Sequence, residues 1–155
     1  KLNETAAKSG CADMIDLEFF EATKPEKEIR RFQRIGVRVI ASHHDFDATP
    51  DDRILRMLME QMQQGGADVA KLAVMPQNAD DVVRLLKLTN DMKQKYPTLP
   101  VVTMSMGALG VVSRMAGEIF GSCITFGAVG ETSAPGQIAA DKLDDILTVI
   151  HQGLC

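Results

Sequence analysis

Five short, near-continuously apolar runs, at residues 12–20, 37–42, 68–75, 101–106 and 122–129, alternate along the chain with stretches of helical periodicity. Runs that are apolar throughout, rather than apolar at every second position, suit parallel strands covered on both faces. Parallel strands need crossover connections, and the helical stretches lie where those crossovers belong. The chain therefore reads as one α/β domain around a parallel sheet, with no break in composition along its 155 residues. An open doubly wound sheet and a (β/α)₈ barrel both have this order of elements. No G-x-G-x-x-G fingerprint follows the first run, which weakens a nucleotide-binding open sheet.

The helical stretches carry start and stop signals. Residues 25–34 place Ile29 and Phe32 on one side and stop at Gly36. In the next stretch Thr49 is expected to cap, with Pro50 at the first helical position and Asp51 and Asp52 at the positive end. Ile54, Leu55, Leu58, Met59 and Met62 follow at helical spacing, and Gly65-Gly66 ends the pattern. Further helices are expected at 79–95, 108–119 and 141–151.

The polar residues within this apolar frame favour the barrel. Glu18, His44, Lys71 and Ser105 each fall near the C-terminal end of a run or just beyond it. In a barrel those ends converge on one mouth, where active sites lie. A complete barrel takes eight strands and typically ~250 residues. Five runs leave about three βα units outside this sequence.

Lys71 stands in Asp68-Val69-Ala70-Lys71-Leu72-Ala73-Val74-Met75. Such a lysine either carries its ammonium out to water at the strand end or is held in a dry pocket, where desolvation favours the neutral, nucleophilic amine. A neutral amine attacks a carbonyl to form an imine, and an imine is an electron sink for a neighbouring carbanion. A histidine on the adjacent run suits the proton transfers. His43 and His44 point to opposite faces of a strand, and spacing does not choose between them. Asp16 and Asp45 are candidates to orient the pair. Arg114, in the Gly-bounded segment 107–117, is either a bidentate clamp for a carboxylate or an exposed helix arginine. Thr132-Ser133-Ala134-Pro135-Gly136-Gln137 has the small residues of a loop that closes on a ligand, with Ser133 and Gln137 offering hydrogen bonds.

Charge and cysteine usage exclude other classes. A net charge of −4 and a pI near 5.3, with no basic cluster, argue against a nucleic-acid partner. No apolar run reaches the ~18 residues of a membrane span, and no signal peptide is visible. Cys11, Cys123 and Cys155 are odd in number and widely spaced, which fits reduced thiols in the cytoplasm rather than a disulfide framework or a zinc site.

Taken together, Ser42-His43-His44-Asp45-Phe46, Lys71-Leu72-Ala73-Val74-Met75-Pro76-Gln77, Thr103-Met104-Ser105-Met106-Gly107, Ser113-Arg114, and Phe126-Gly127 through Ser133-Ala134-Pro135-Gly136-Gln137 resemble the type I 3-dehydroquinate dehydratases. The resemblance implies a (β/α)₈ barrel of the shikimate pathway that converts 3-dehydroquinate to 3-dehydroshikimate and water without metal or cofactor. It implies Lys71 as the Schiff-base lysine and His44 as the proton-shuttling histidine. Arg114, Ser133 and Gln137 then bind substrate, Phe46, Met106 and Phe126 form apolar walls, and Asp16 is an acid behind the catalytic pair. The family's Arg-x-x-x-Glu-Gly-Gly motif, with the acid that supports the histidine, is absent from these residues. The chain is thus expected to be a single domain, 1–155, forming the C-terminal portion of the barrel from about the third helix onward. Alone it is expected to be inactive and to self-associate as a homodimer or other homo-oligomer. The competing readings are another lysine-imine barrel enzyme, such as a class I aldolase, and a non-catalytic half-barrel.

Overall fold

The computed structural model describes residues 2–154. Its elements are α1 (Leu2–Lys8), β1 (Met14–Glu18), α2 (Pro25–Gln33), β2 (Arg38–Asp45), α3 (Asp52–Gln64), β3 (Val69–Val74), α4 (Ala79–Lys95), β4 (Val101–Ser105), α5 (Val111–Met115), α6 (Gly117–Phe120) and α7 (Ala140–Leu154). The four strands pair in parallel in the order β1-β2-β3-β4. A doubly wound sheet reverses its strand order at a switch point. This sheet advances in one direction, as a barrel does.

The continuous apolar runs have a simple cause. All six residues of β3 and all five of β4 are buried. Ala70, Leu72 and Val74 face the helices and join Ile29, Leu55, Met59, Leu85 and Met92 in the larger core. Val69 and Ala73 face the other way and join Val102, Met104 and Met106. Lys71 lies between Val69 and Ala73 on that second, barrel-interior face. Burying each large apolar side chain contributes about 1.5–3 kcal/mol, so the helix-facing layer supplies most of the cohesion. The interior face is left free to carry polar groups.

Several elements depart from expectation. The run at 122–129 is not a strand: only isolated parallel bridges form, Val101 with Ser122 and Ala128 with Ala139. The outer edge of β4 explains this. Cys123 N–H donates to Val101 O at 2.9 Å, but the next two outward amides, Thr103 and Ser105, donate to the hydroxyls of Ser122 and Ser113. Side chains have taken the donors that a fifth ladder would use. The cap of α3 is Asp51, whose carboxylate accepts from the N–H groups of Arg53 and Ile54 at 3.0 Å. Thr49 instead donates to Met75 O. The helix expected at 108–119 breaks into α5 and α6 at Ala116, which leaves helical geometry at φ −93°, ψ 7°. On α4, Val83 is exposed although the neighbouring Val82 is buried. The final helix is longer than expected at both ends, and α1 has only Ala7 buried, so no apolar period announces it.

Candidate active site

Strand register builds the reactive side of the site. Ser42 on β2 lies beside Glu18 on β1 and Lys71 on β3. In-register neighbours share a face, so Glu18, Ser42 and Lys71 share the barrel interior, with Asp16 and His44 two residues away on the same faces of their strands. The Lys71 side chain is 11% exposed. Its Nζ donates to Asp16 Oδ2 at 2.7 Å and sits 5.2 Å from the centre of the Phe126 ring. The ammonium therefore does not escape to water; it is held inside by a carboxylate.

Both histidines of the doublet approach Glu18. His44 Nδ1 is 2.6 Å from Oε2, and His43 Nδ1 is 3.3 Å from Oε1. The His44 backbone N–H also donates to Glu18, at 3.2 Å. An ionised Glu18 keeps the His44 proton on Nδ1, which leaves Nε2 as the free lone pair. His43 packs edge-on against Phe20, away from Lys71, while the His44 ring stacks on Phe46. Asp45 is not an orienting partner. Its carboxylate turns back and accepts from the N–H groups of Asp47 and Ala48, closing the turn after β2.

The binding side comes from the end of β4, from α5 and from the loop before α7. Arg114 is 1% exposed, which removes the exposed-helix reading. Among the described residues it has no carboxylate partner. One guanidinium nitrogen donates to Pro135 O at 3.1 Å, another meets Met104 Sδ at 3.7 Å, and Nε makes no hydrogen bond. Burial pulls its pKa below the usual arginine value. The Ser133–Gln137 loop is folded on itself, Gln137 Oε1 accepting from Ser133 N–H at 2.7 Å. Gly136 locks it to β4: its φ is +74°, and a Cβ there would lie 2.3 Å from Gly107 O.

One cavity of about 230 Å³ gathers His44, Phe46, Lys71, Met106, Arg114, Phe126, Ser133 and Gln137. Asp16 stands behind Lys71. Ser105 does not join them: it is buried, its hydroxyl has no partner, and strand alternation turns it from Met104 and Met106 toward the helices. Three lining residues escaped the sequence reading. Met104 is two residues from Met106, so period-two alternation marks it; Ala134 lies within the loop motif; Ala73 follows Lys71 by two. Glu18 was singled out only by its place at a strand end, and its role beside His44 had no local signal. Among the described residues no cluster of His, Cys, Asp or Glu is spaced to hold a metal ion.

The model of one protein family, Type I 3-dehydroquinase, matches residues 1–154. The chain belongs to that family. A 3-dehydroquinate dehydratase of Escherichia coli (strain 55989 / EAEC) is 45% identical over 97% of this chain, which covers 60% of that protein. Among solved structures, the 3-dehydroquinate dehydratase of Geobacillus kaustophilus HTA426 superposes with a TM-score of 0.92 at 36% identity, over 97% of this chain and 58% of its own. The type I enzyme of Clostridium difficile, solved with covalent modified comenic acid, has a TM-score of 0.91 at 44% identity, over 98% and 60%. The fold is thus that of the (β/α)₈ dehydroquinases, and the chain spans about 60% of the length of the curated relatives it matches. No helix among the described residues is long and apolar enough to cross a membrane.

Proposed function

We propose that this chain carries the imine-forming site of a 3-dehydroquinate dehydratase. The observation that carries the reading is a buried lysine and a buried arginine without a carboxylate partner among the described residues, both lining one small cavity, with a carboxylate-backed histidine on the strand next to the lysine. The substrate is a β-hydroxy ketone that bears a carboxylate. Arg114 holds the carboxylate, with Ser133 and Gln137 supplying hydrogen bonds. Phe46, Met106 and Phe126 exclude water around the ring. Lys71 gives its ammonium proton to a base, and the neutral amine adds to the ketone carbon. Loss of one water leaves a protonated imine. His44 Nε2 takes a proton from the carbon beside the imine, and that electron pair moves into the imine. The resulting enamine expels the β-hydroxyl as His44 returns the proton to it, releasing the second water. Hydrolysis of the imine restores Lys71, so the sum is the loss of one water. Asp16 keeps Lys71 aimed into the cavity.

The chain is also proposed to be the C-terminal portion of its barrel, 1–155 as a single domain, with the first three βα units outside it. The 60% share of its relatives' length and the outer edge of β1, which meets no further strand among the described residues, support this. Alone, it is expected to be nearly inactive and to self-associate through that edge. The free Cys11 and Cys123 suit a reducing, cytoplasmic setting.

The test joins this chain behind the N-terminal segment of the Escherichia coli relative, adds 3-dehydroquinate and borohydride, and maps the modified peptide. A reduced adduct on Lys71 is expected. An adduct on another lysine, or none, overturns the reading.

A further inference from the structure

Ser42 lies between the two charged pairs of the site and belongs to neither. It is fully buried on β2, in register with Glu18 on one side and Lys71 on the other. Its hydroxyl donates to Asp16 Oδ1, and its oxygen is 3.5 Å from Glu18 Oε2. Asp16 uses its other oxygen for Lys71, and Glu18 uses Oε2 for His44. A continuous path thus runs Lys71–Asp16–Ser42–Glu18–His44. Its centre is a group with one proton and two carboxylates in reach.

We infer that Ser42 is a positioning residue that couples the charge on Lys71 to the behaviour of His44. With Lys71 donating to Asp16 Oδ2, the hydroxyl donates to Asp16 Oδ1, and Glu18 Oε2 is left to His44. Glu18 then holds the His44 Nδ1–H and leaves Nε2 as the lone pair that takes the proton beside the imine. A change of charge on the Lys71 nitrogen changes what Asp16 shares with the hydroxyl, whose other acceptor, Glu18 Oε2, is 3.5 Å away. The hydroxyl thereby passes the change to the carboxylate that orients His44.

The functional part of this inference rests on the dehydratase reading; the coupling does not. The first test needs no substrate and uses the 155-residue chain. The His44 Nδ1 resonance is compared with and without Lys71→Met, in the Ser42 protein and in Ser42→Ala. With Ser42 present, Lys71→Met is expected to move the resonance; in Ser42→Ala the movement shrinks to roughly half or less. Equal movements in the two backgrounds overturn the coupling. A structural defect would not produce this difference of differences, and Ser42→Thr, which keeps the hydroxyl, restores the full response. The second test uses the completed enzyme. Ser42→Ala is expected to lower kcat roughly tenfold, the scale of one hydrogen bond to a charged group, with KM and borohydride trapping at Lys71 held within about twofold. Equal losses in trapping and kcat overturn the role at the later step. No trapping in the unsubstituted enzyme overturns the dehydratase reading, while the resonance comparison still decides the coupling.

Discussion

On the β1–β3 side of the cavity each charge faces its counter-charge, Lys71 on Asp16 and His44 on Glu18, whereas on the β4 side Arg114 is buried with a carbonyl and a thioether for company. The first side is built of neighbouring strands in register, and its groups arrive complete. The second is built of a strand end, a five-residue helix and a loop, and its cation is left short of an anion. A buried unpaired charge costs several kcal/mol. A site that must move protons benefits from groups already ordered among themselves. A site that must capture a carboxylate benefits from a donor with nothing better to hold.

Substitutions on the two sides should therefore fail in different ways. Lys71→Ala has the largest expected effect, complete loss of borohydride trapping and of turnover in the completed enzyme. Its stability cost should stay below about 1 kcal/mol, because the Asp16 side chain left behind is 41% exposed and water can serve it. A large drop in the urea midpoint would break the comparison. Next, His44→Ala should lower turnover by about 10²–10⁴-fold while sparing trapping, with His43→Ala changing turnover little. The reverse ranking would move the proton-transfer role to His43.

Arg114→Met should separate binding from stability. Carboxylate-ligand affinity, read by titration, should fall roughly ten- to hundredfold. The chain should become about 1–3 kcal/mol more stable to urea, since an unpaired buried charge is gone. Loss of stability would mean that the cation is already paid for where it sits. Gly136→Ala should cost about 1–3 kcal/mol through its left-handed φ and the Gly107 carbonyl in its way. The smallest expected effect lies far from the cavity. Hydrogen bonds from Lys87 and Arg56 hold the Asp91 carboxyl below its ordinary range. Its contribution is present above the unfolded carboxylate range and is lost as pH falls through the lowered folded value. Asp91→Asn should cost about 0.5 kcal/mol near neutral pH, and the difference from the parent should vanish in acid unfolding curves.

The strands β1 to β4 were legible because a strand covered on both faces must be apolar at successive positions. The same signal misled at 122–129, because apolarity reports burial and not whether a ladder has a free edge to join. Most of the residues lining the cavity were legible through their resemblance and order, Ala73, Met104 and Ala134 excepted. The partners of those residues were not. Glu18 meets His44 across a strand boundary, and no spacing along the chain tells it from Asp16 or Asp45. The resemblance places the histidine's supporting acid in a motif outside these residues; within them, Glu18 meets His44 Nδ1. Arg114 looks the same in sequence whether exposed or sealed, and only the Pro135 loop packed over it decides.

The hydroxyls of Ser113 and Ser122 have a consequence beyond halting the fifth ladder. A sheet edge is a template, and its exposed amides recruit whatever strand comes near, native or not. By occupying Thr103 and Ser105, the two serines make the β4 side a poor seed for stacking. On the β1 side Asn3 Nδ2 takes the Asp16 carbonyl, but among the described residues the outward N–H groups stay unpaired. Recruitment to this sheet is therefore directional: a newly arriving strand has one docking side, next to the acids that serve Lys71 and His44.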